Sequence, residues 1–167
     1  MGSNQKKGII KYLVLALYII LVGIFFFFTL RSGEESAQES SIVADTLYKL
    51  LRFITFKKVD FDYDIIHHIT RKLVGHYGYN VFIGLTGYLA FYLLISKNDG
   101  GKIALVISSG LGLIIAGLGE LLQYIPDSRG PSFVDGVFNF LGEVTGILLI
   151  YVIVAIMKNK KKKPFNN

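Results

Sequence analysis

The chain has 167 residues, of which 52% are hydrophobic and only 18% are charged, and its mean hydropathy is +0.51. A soluble domain of this composition would have too few polar side chains to cover its surface, so the composition indicates a single membrane domain. The absence of cysteine excludes disulfides, thiolate metal sites, lipidated cysteine and cysteine nucleophiles.

Apolar segments of the length that a helix needs to cross hydrocarbon, roughly 20 residues, occur at 9–30, 77–95, 103–122 and 137–157. The first is longer than the apolar core of a signal peptide. It is followed by FFFFTLRSGEE and not by a small-residue cleavage site, so it is predicted to be an uncleaved anchor. The predicted fold class is all-α: a polytopic helical membrane bundle of four transmembrane helices, with residues 1–157 as one domain.

Basic residues beside the spans predict the orientation. They precede the first span, occupy the short loop after the second, and form a basic tail at 158–167. Because such clusters remain in the cytoplasm, both termini are predicted to be cytoplasmic. The net charge of +6 and the pI near 9.4 are largely explained by this topology, and the tail favours contact with anionic lipid over nucleic acid. The residues concerned are Lys6, Lys7, Lys11, Lys97, Lys102, Lys158 and Lys160 to Lys163.

The long outer loop, residues 31–76, changes character along its length. It begins with the polar, acidic stretch RSGEESAQESS, which is predicted to be a mobile exit from the membrane. From residue 42 to residue 58, apolar residues recur at helical spacing among basic ones, which predicts an amphipathic helix that is interfacial or re-entrant. Asp64 is then predicted to cap a helix that runs through His68 and Arg71 into the second span.

The second, third and fourth predicted helices each carry polar residues at the outer end of one face and small residues deeper on it. At about 100° per residue, the offsets 0, 4, 7, 8 and 11 share a face. Small residues allow close helix packing, so the three helices are predicted to converge on one outward polar pocket. The faces comprise His76, Asn80, Gly84, Gly87 and Phe91; Gly112, Ala116, Gly119, Glu120 and Gln123; and Asp135, Asn139, Gly142, Glu143 and Gly146.

The helix ends predict an anion site in this pocket. The second and fourth helices present their N-termini outward, where free N–H groups and the positive dipole end favour an anion, and Arg71, Lys72 and Arg129 lie beside them. Glu120 lies instead at the negative end of the third helix and needs a partner or a proton. Arg129 is the first candidate partner and Arg71 the second.

Purely structural interpretations remain open for several of these residues. Ser132 and Asp135 have the spacing of a capping box, Glu120 with Arg129 fits an ion pair that holds the loop, and Asn139 fits a helix-to-helix hydrogen bond. A metal site at the histidine doublet is disfavoured, because adjacent rings on a helix point about 100° apart. No metal and no cofactor is therefore predicted.

The polar stretch between the last two spans resembles the signature of the VanZ-like family. It matches E-x-x-Q, a Pro-containing turn, and R-x-x-S-x-x-D-x-x-x-N-x-x-G, while RKLVGHYGYNVFIG is similar to the family's RK-x-x-GH segment. Tyr77 stands where many members have Phe. The resemblance covers about Asp64 to Tyr151, and it rests on Glu120, Gln123, Arg129, Ser132, Asp135, Asn139 and Gly142, with Arg71, Lys72, Gly75, His76 and Gly84 upstream.

The resemblance implies a multi-pass protein of the bacterial cytoplasmic membrane, in a Gram-positive envelope. The family's namesake is associated with low-level resistance to teicoplanin, a lipid-tailed glycopeptide. The predicted function is to bind a lipid or lipid-linked anionic headgroup at the outward pocket and so to lower susceptibility to such lipoglycopeptide antibiotics. The candidate ligand-binding residues are Arg71, Lys72, His76, Asn80, Glu120, Gln123, Arg129, Ser132, Asp135 and Asn139.

Two other functions remain open. One is an intramembrane enzyme acting on a lipid-linked cell-wall precursor, with Glu120, Asp135 or His76 as acid or base. The other is a helper subunit that packs on an envelope transporter or synthase, its membrane protein partner, through its small-residue faces. No nucleophile motif is evident, which favours the non-catalytic interpretation.

Overall fold

The computed structural model describes residues 3–56, 58–95, 100–126 and 129–162, and within these ranges the chain is helical with no strand. The predicted all-α class is thereby confirmed. Lys57, Lys97 and residues 163–167, assigned above to the amphipathic helix, the inner loop and the tail, lie outside the described residues. The helices are α1 (Ser3–Thr29), α2 (Gly33–Ile54), α3 (Tyr63–Thr70), a π-helical segment (Arg71–Gly78), α4 (Tyr79–Leu94), α5 (Gly100–Leu122) and α6 (Phe133–Lys162).

Within the described residues, three helices are long and apolar enough to cross a membrane: Gly8–Thr29, Gly100–Leu122 and Phe133–Asn159. They correspond to the first, third and fourth predicted spans. Their outer faces expose large apolar side chains, as lipid-facing helices do, including Leu13 at 63% and Val106 at 71%. The predicted second span corresponds to α4, which has only 16 residues because the regular α-helix gives way to the π-helical segment at its start.

The central helix of the bundle is α4, which packs against α1, α5 and α6. Two of its apolar side chains, Ile83 and Tyr88, are completely buried. On the α1 side, the ring of Tyr18 meets Phe91 edge-on, and the Tyr79 hydroxyl donates to the carbonyl oxygen of Leu21 at 2.8 Å. The core therefore lies around α4, and the three apolar helices surround it.

Glycine allows α4 and α6 to approach until their backbones touch. A Cβ at Gly84 would overlap the backbone carbonyl of Glu143, and one at Gly146 would overlap the carbonyl of Val81. The predicted small-residue packing is confirmed at this seam. The same approach buries the Glu143 side chain, whose Oε2 lies against Gly112 of α5.

The predicted mobile exit after the first span is wrong, because the acidic stretch forms the first turns of α2. The Ser32 hydroxyl accepts from the Glu35 N–H at 3.2 Å, and the Glu35 carboxylate accepts from the Ser32 N–H at 3.2 Å. This reciprocal capping box satisfies two N–H groups that a helix start leaves without partners. The amphipathic helix therefore begins at Gly33, nine residues before the predicted start at Ile42.

The predicted cap of the next helix is displaced by two residues. Asp62, not Asp64, is the N-cap of α3, since its Oδ1 accepts from the backbone N–H groups of Asp64 and Ile65 at 2.9 and 3.3 Å. The helix then runs through the π-helical segment into α4, as predicted. Tyr63 holds α3 on α2 by donating to Asp45 at 2.5 Å, and this hydrogen bond raises the pKa of the Tyr63 hydroxyl.

Candidate functional site

A buried polar network lies where the π-helical segment, the end of α5 and the start of α6 meet, and Glu120 is its centre. Its Oε1 accepts from Gln123 Nε2 and from Asn139 Nδ2, both at 3.0 Å. Its Oε2 accepts from the Ser132 backbone N–H at 2.9 Å. The carboxylate at the negative end of α5 is thus held by three neutral donors.

Ser132 is the N-cap of α6, as its spacing to Asp135 predicts. Its hydroxyl accepts from the Asp135 N–H at 3.2 Å. In a complete capping box the acid three residues on would bond back to the cap's own N–H. Here Glu120 takes that N–H, and the carboxylate of Asp135 turns instead towards basic side chains of the π-helical segment.

Three basic side chains lie close to the Asp135 carboxylate, although only 4% of the surface of Asp135 is exposed. Its Oδ1 lies 3.1 Å from Lys72 Nζ, while Oδ2 lies 3.9 Å from Arg71 Nη2 and 3.6 Å from His76 Nε2. A buried carboxylate is costly unless it is paired, and these contacts supply the pairing. The two cations beside the start of α6 are therefore held in place by Asp135.

Asn139 joins the two carboxylates into one network. Because its Nδ2 donates to Glu120, its Oδ1 faces the π-helical segment, where it lies 3.1 Å from His76 Nδ1 and accepts from Asn80 Nδ2 at 3.0 Å. Nδ1 of His76 is consequently the donor, and Nε2 faces Asp135. The predicted convergence of three polar helix faces corresponds to this chain of contacts.

Arg129 connects the turn between α5 and α6 to the end of α1. Its Nη1 donates to the carbonyl oxygens of Phe28, Thr29 and Arg31 at 3.1, 3.3 and 3.3 Å. The last carbonyls of a helix have no partner within the helix, and a cation there also meets the negative dipole end. The residue predicted to pair with Glu120 thus holds α1 against the polar network.

A cavity of about 300 Å³ lies between α1, α2 and the π-helical segment. Its polar edge is formed by Arg71, His76 and Arg129. The rest of the lining consists of apolar side chains and several hydroxyl groups. Thr70 Oγ1 is buried there without a hydrogen-bond partner among the described residues. The remaining lining residues are Phe25, Phe28, Thr29, Ser36, Ser40, Val43, Val74, Gly75 and Tyr79.

The ten predicted site residues thus divide into two groups. Arg71, His76 and Arg129 line the cavity. The other seven do not line it, and they hold the helix ends and the basic side chains in position. The sequence did not predict the contribution of α2, from which Ser36, Ser40 and Val43 reach the cavity. Their spacing of four and three residues places them on one helical face, a signal that is visible only if α2 begins before residue 42.

Among the described residues, no group of three or more His, Asp or Glu side chains has an arrangement that could hold a metal ion. In the polar network the two carboxylates, Glu120 and Asp135, are instead paired with amide and basic groups.

These features define a helical membrane protein with a buried polar network at one end of its bundle and a cavity beside it. A match to the VanZ/LLP1 family extends over residues 14–155, which is most of the chain. The chain belongs to this family. The match also includes α1 and α2, which the resemblance in sequence motifs had not reached. Among curated proteins and among solved structures, no significant match was found.

Proposed function

We propose that this chain binds an anionic amphiphile, a membrane lipid or a lipid-linked cell-wall precursor, in the cavity between α1, α2 and the π-helical segment. Binding would lower the susceptibility of the cell to lipoglycopeptide antibiotics such as teicoplanin. The observation that carries the proposal is the mixed lining of this cavity, in which the basic side chains of Arg71, His76 and Arg129 occur together with aromatic and aliphatic side chains. Such a distribution matches a charged headgroup joined to a hydrocarbon tail.

The charges at the polar edge favour a negative ligand. Arg71 has 36% of its side chain exposed, so part of its guanidinium remains available after its contact with Asp135. Arg129 contributes a second guanidinium, and its position is set by the carbonyls of α1. Guanidinium groups bind phosphate and carboxylate oxygens in pairs, and the Thr70 hydroxyl adds a donor that lacks a partner within the described chain.

The proposed topology is four spans in the bacterial cytoplasmic membrane, with both termini in the cytoplasm. The π-helical segment and α4 form one continuous helix that is longer than the roughly 20 residues needed for a crossing. In this arrangement α4 crosses between its three apolar neighbours, α2 lies in the outer interface, and the cavity faces outward at the surface where glycopeptides act.

The experiment is to measure the teicoplanin concentration that inhibits a susceptible Gram-positive host expressing the chain. Arg71→Gln is the informative variant, because Lys72 lies closer to Asp135 and keeps that carboxylate paired. We expect Arg71→Gln to return susceptibility to the level of cells without the protein. The matched control is Arg52→Gln, on α2, whose guanidinium lies over the Tyr48 ring away from the cavity.

Protein level and thermal stability in membranes are measured for both variants. If Arg71→Gln retains full protection at a normal protein level, headgroup binding at this edge is excluded. Equal loss of protection in Arg52→Gln would point to a general effect of charge. Arg129→Gln is less informative, because it also removes the hydrogen bonds that hold the end of α1.

One contact favours a second candidate, an intramembrane enzyme acting on a lipid-linked substrate. Ser40 lines the cavity, and its Oγ lies 2.9 Å from Nε2 of His67 on α3. A serine beside a histidine can serve as a nucleophile, but here the Ser40 hydroxyl donates to the carbonyl oxygen of Ala37 at 3.0 Å, so activation requires that proton to turn towards Nε2 of His67. Ser40→Ala separates the two functions: protection that survives this change, with envelope lipids unaltered in mass spectra, supports binding without catalysis.

A further inference from the structure

A second cavity, of about 160 Å³, lies at the opposite end of the bundle from the polar network. We propose that it binds the phosphate of an anionic phospholipid, independently of the function proposed for the first cavity. It is formed where the end of α4, the start of α5 and the end of α6 meet. Its lining residues are Tyr88, Tyr92, Gly101, Lys102, Tyr151, Val154, Ala155 and Lys158.

The buried hydroxyl of Tyr88 is the first observation that points to a ligand. Tyr88 is completely buried, and its hydroxyl has no hydrogen-bond partner among the described residues. Buried hydroxyl groups nearly always have a partner, so an isolated one indicates an acceptor that comes from elsewhere. The hydroxyl lies beside Gly101, another lining residue, where a side chain would come within 3.4 Å of it.

Two lysines provide the charge that selects an anion. Lys102 lies in the first turn of α5, and Lys158 lies near the end of α6 with its ammonium 4.9 Å from the centre of the Tyr92 ring. Because Tyr92 and Lys158 both line the cavity, this cation–π contact holds the Lys158 ammonium beside it. Lys102 also lies at the N-terminal end of α5, where the positive end of the helix dipole adds positive potential.

A phospholipid phosphate is the occupant that fits these surroundings. The cavity is several times larger than the roughly 30 Å³ that a water molecule occupies, which leaves room for a phosphate group. The apolar side chains of Val154 and Ala155, which also line the cavity and are half-buried, provide a surface for acyl chains. The headgroup would be held by Lys102, Lys158 and the Tyr88 hydroxyl, and the tails would remain in the bilayer.

The test is native mass spectrometry of the full chain purified in detergent with phosphatidylglycerol or phosphatidylcholine. We expect the chain to retain phosphatidylglycerol selectively. Lys158→Gln should weaken retention by about tenfold or more, as expected for the loss of a charge-assisted hydrogen bond. Tyr88→Phe should weaken it several-fold, since it removes only a hydroxyl group and leaves all charges in place.

The matched control is Lys11→Gln, which removes the same charge at the same end of the bundle from α1, where Lys11 lies over the Tyr12 ring. Retention by this variant should remain within about twofold of the unchanged chain. Equal losses in Lys11→Gln and Lys158→Gln would overturn the proposal in favour of diffuse attraction. Displacement of the lipid by millimolar inorganic phosphate alone would overturn the assignment to a phospholipid.

Circular dichroism and gel filtration of each variant confirm that folded protein is being compared. Because Arg71→Gln leaves this cavity untouched, it should retain phosphatidylglycerol at this end normally. Loss of binding in the first cavity can thereby be distinguished from loss of phospholipid binding in the second cavity.

Discussion

Glu120 illustrates how the surroundings of a residue decide its role. Its position at the negative end of α5 predicts a need for a cation or a proton. In the structure the need is met by an N-cap N–H and two side-chain amides, which come from the two sides of the turn between α5 and α6. Because Glu120 takes the N–H of Ser132, the carboxylate of Asp135 remains for the basic side chains next to the cavity.

Glu120→Gln should therefore destabilise the protein although the side chain keeps its shape. The new amide nitrogen would face at least one donor, from Gln123, Asn139 or Ser132, and at least one buried hydrogen bond would be lost. We expect the free energy of unfolding to fall by about 1–3 kcal/mol. The measurement is reversible unfolding of the purified chain in mixed detergent micelles.

Glu34→Gln is the control for this change, because Glu34 lies in the exposed first turn of α2. It should alter the free energy of unfolding by less than about 0.5 kcal/mol. Equal stability of Glu120→Gln and the unchanged chain would show that the three hydrogen bonds of Glu120 contribute nothing to folding.

At the scale of the helix, glycines determine how closely α4 packs against α6. Gly84→Ala would drive a methyl group into the backbone carbonyl of Glu143, which cannot move without shifting α6. Overpacking of this kind costs about 1–3 kcal/mol. We expect a lower melting temperature and a looser seam, measured by thermal unfolding and by hydrogen exchange in α4.

Gly110→Ala is the matched change in α5, since a Cβ at Gly110 meets nothing within 4 Å. It should be neutral or stabilising, because alanine is the better helix former by about 1 kcal/mol. Similar destabilisation by both variants would mean that loss of glycine itself, and not the contact with α6, causes the effect.

The capping box at the start of α2 places Ser36 and Ser40 at the cavity wall. Ser32→Ala removes the acceptor for the Glu35 N–H and should cost about 1 kcal/mol of helix stability. We expect faster hydrogen exchange at the amides of residues 34–36, with α5 and α6 unchanged. Slow exchange at these amides in the variant would show that packing on α3, not the cap, orders this helix start.

Topology is a property of the whole molecule, and the absence of cysteine makes it directly testable. Single cysteines at Asp60 and Tyr124 should react with a membrane-impermeant maleimide in intact cells, while those at Asn4 and Asn159 should react only after permeabilisation. A crossing by α4 places both ends on the same side. Labelling of Asn4 and Asn159 from opposite sides would instead establish three spans.

The helical period and the composition of the sequence were sufficient to predict much of the structure of this protein. The all-α class, the positions of the apolar helices and the small-residue seam between α4 and α6 follow from hydropathy and helical spacing, which are local properties of the chain. The polar residues that meet around Glu120 and Asp135 were also identified, because a charge in an apolar segment is conspicuous wherever it lies.

The remaining features depend on residues that are distant in sequence. Arg129 binds carbonyls of α1 about one hundred positions away, and Ser36 and Ser40 of α2 line a cavity with Phe25 and His76. The π-helical segment likewise has no local signature that distinguishes it from α-helix. Helical period reports which residues share a face, but only tertiary packing decides which faces meet and where space between them remains.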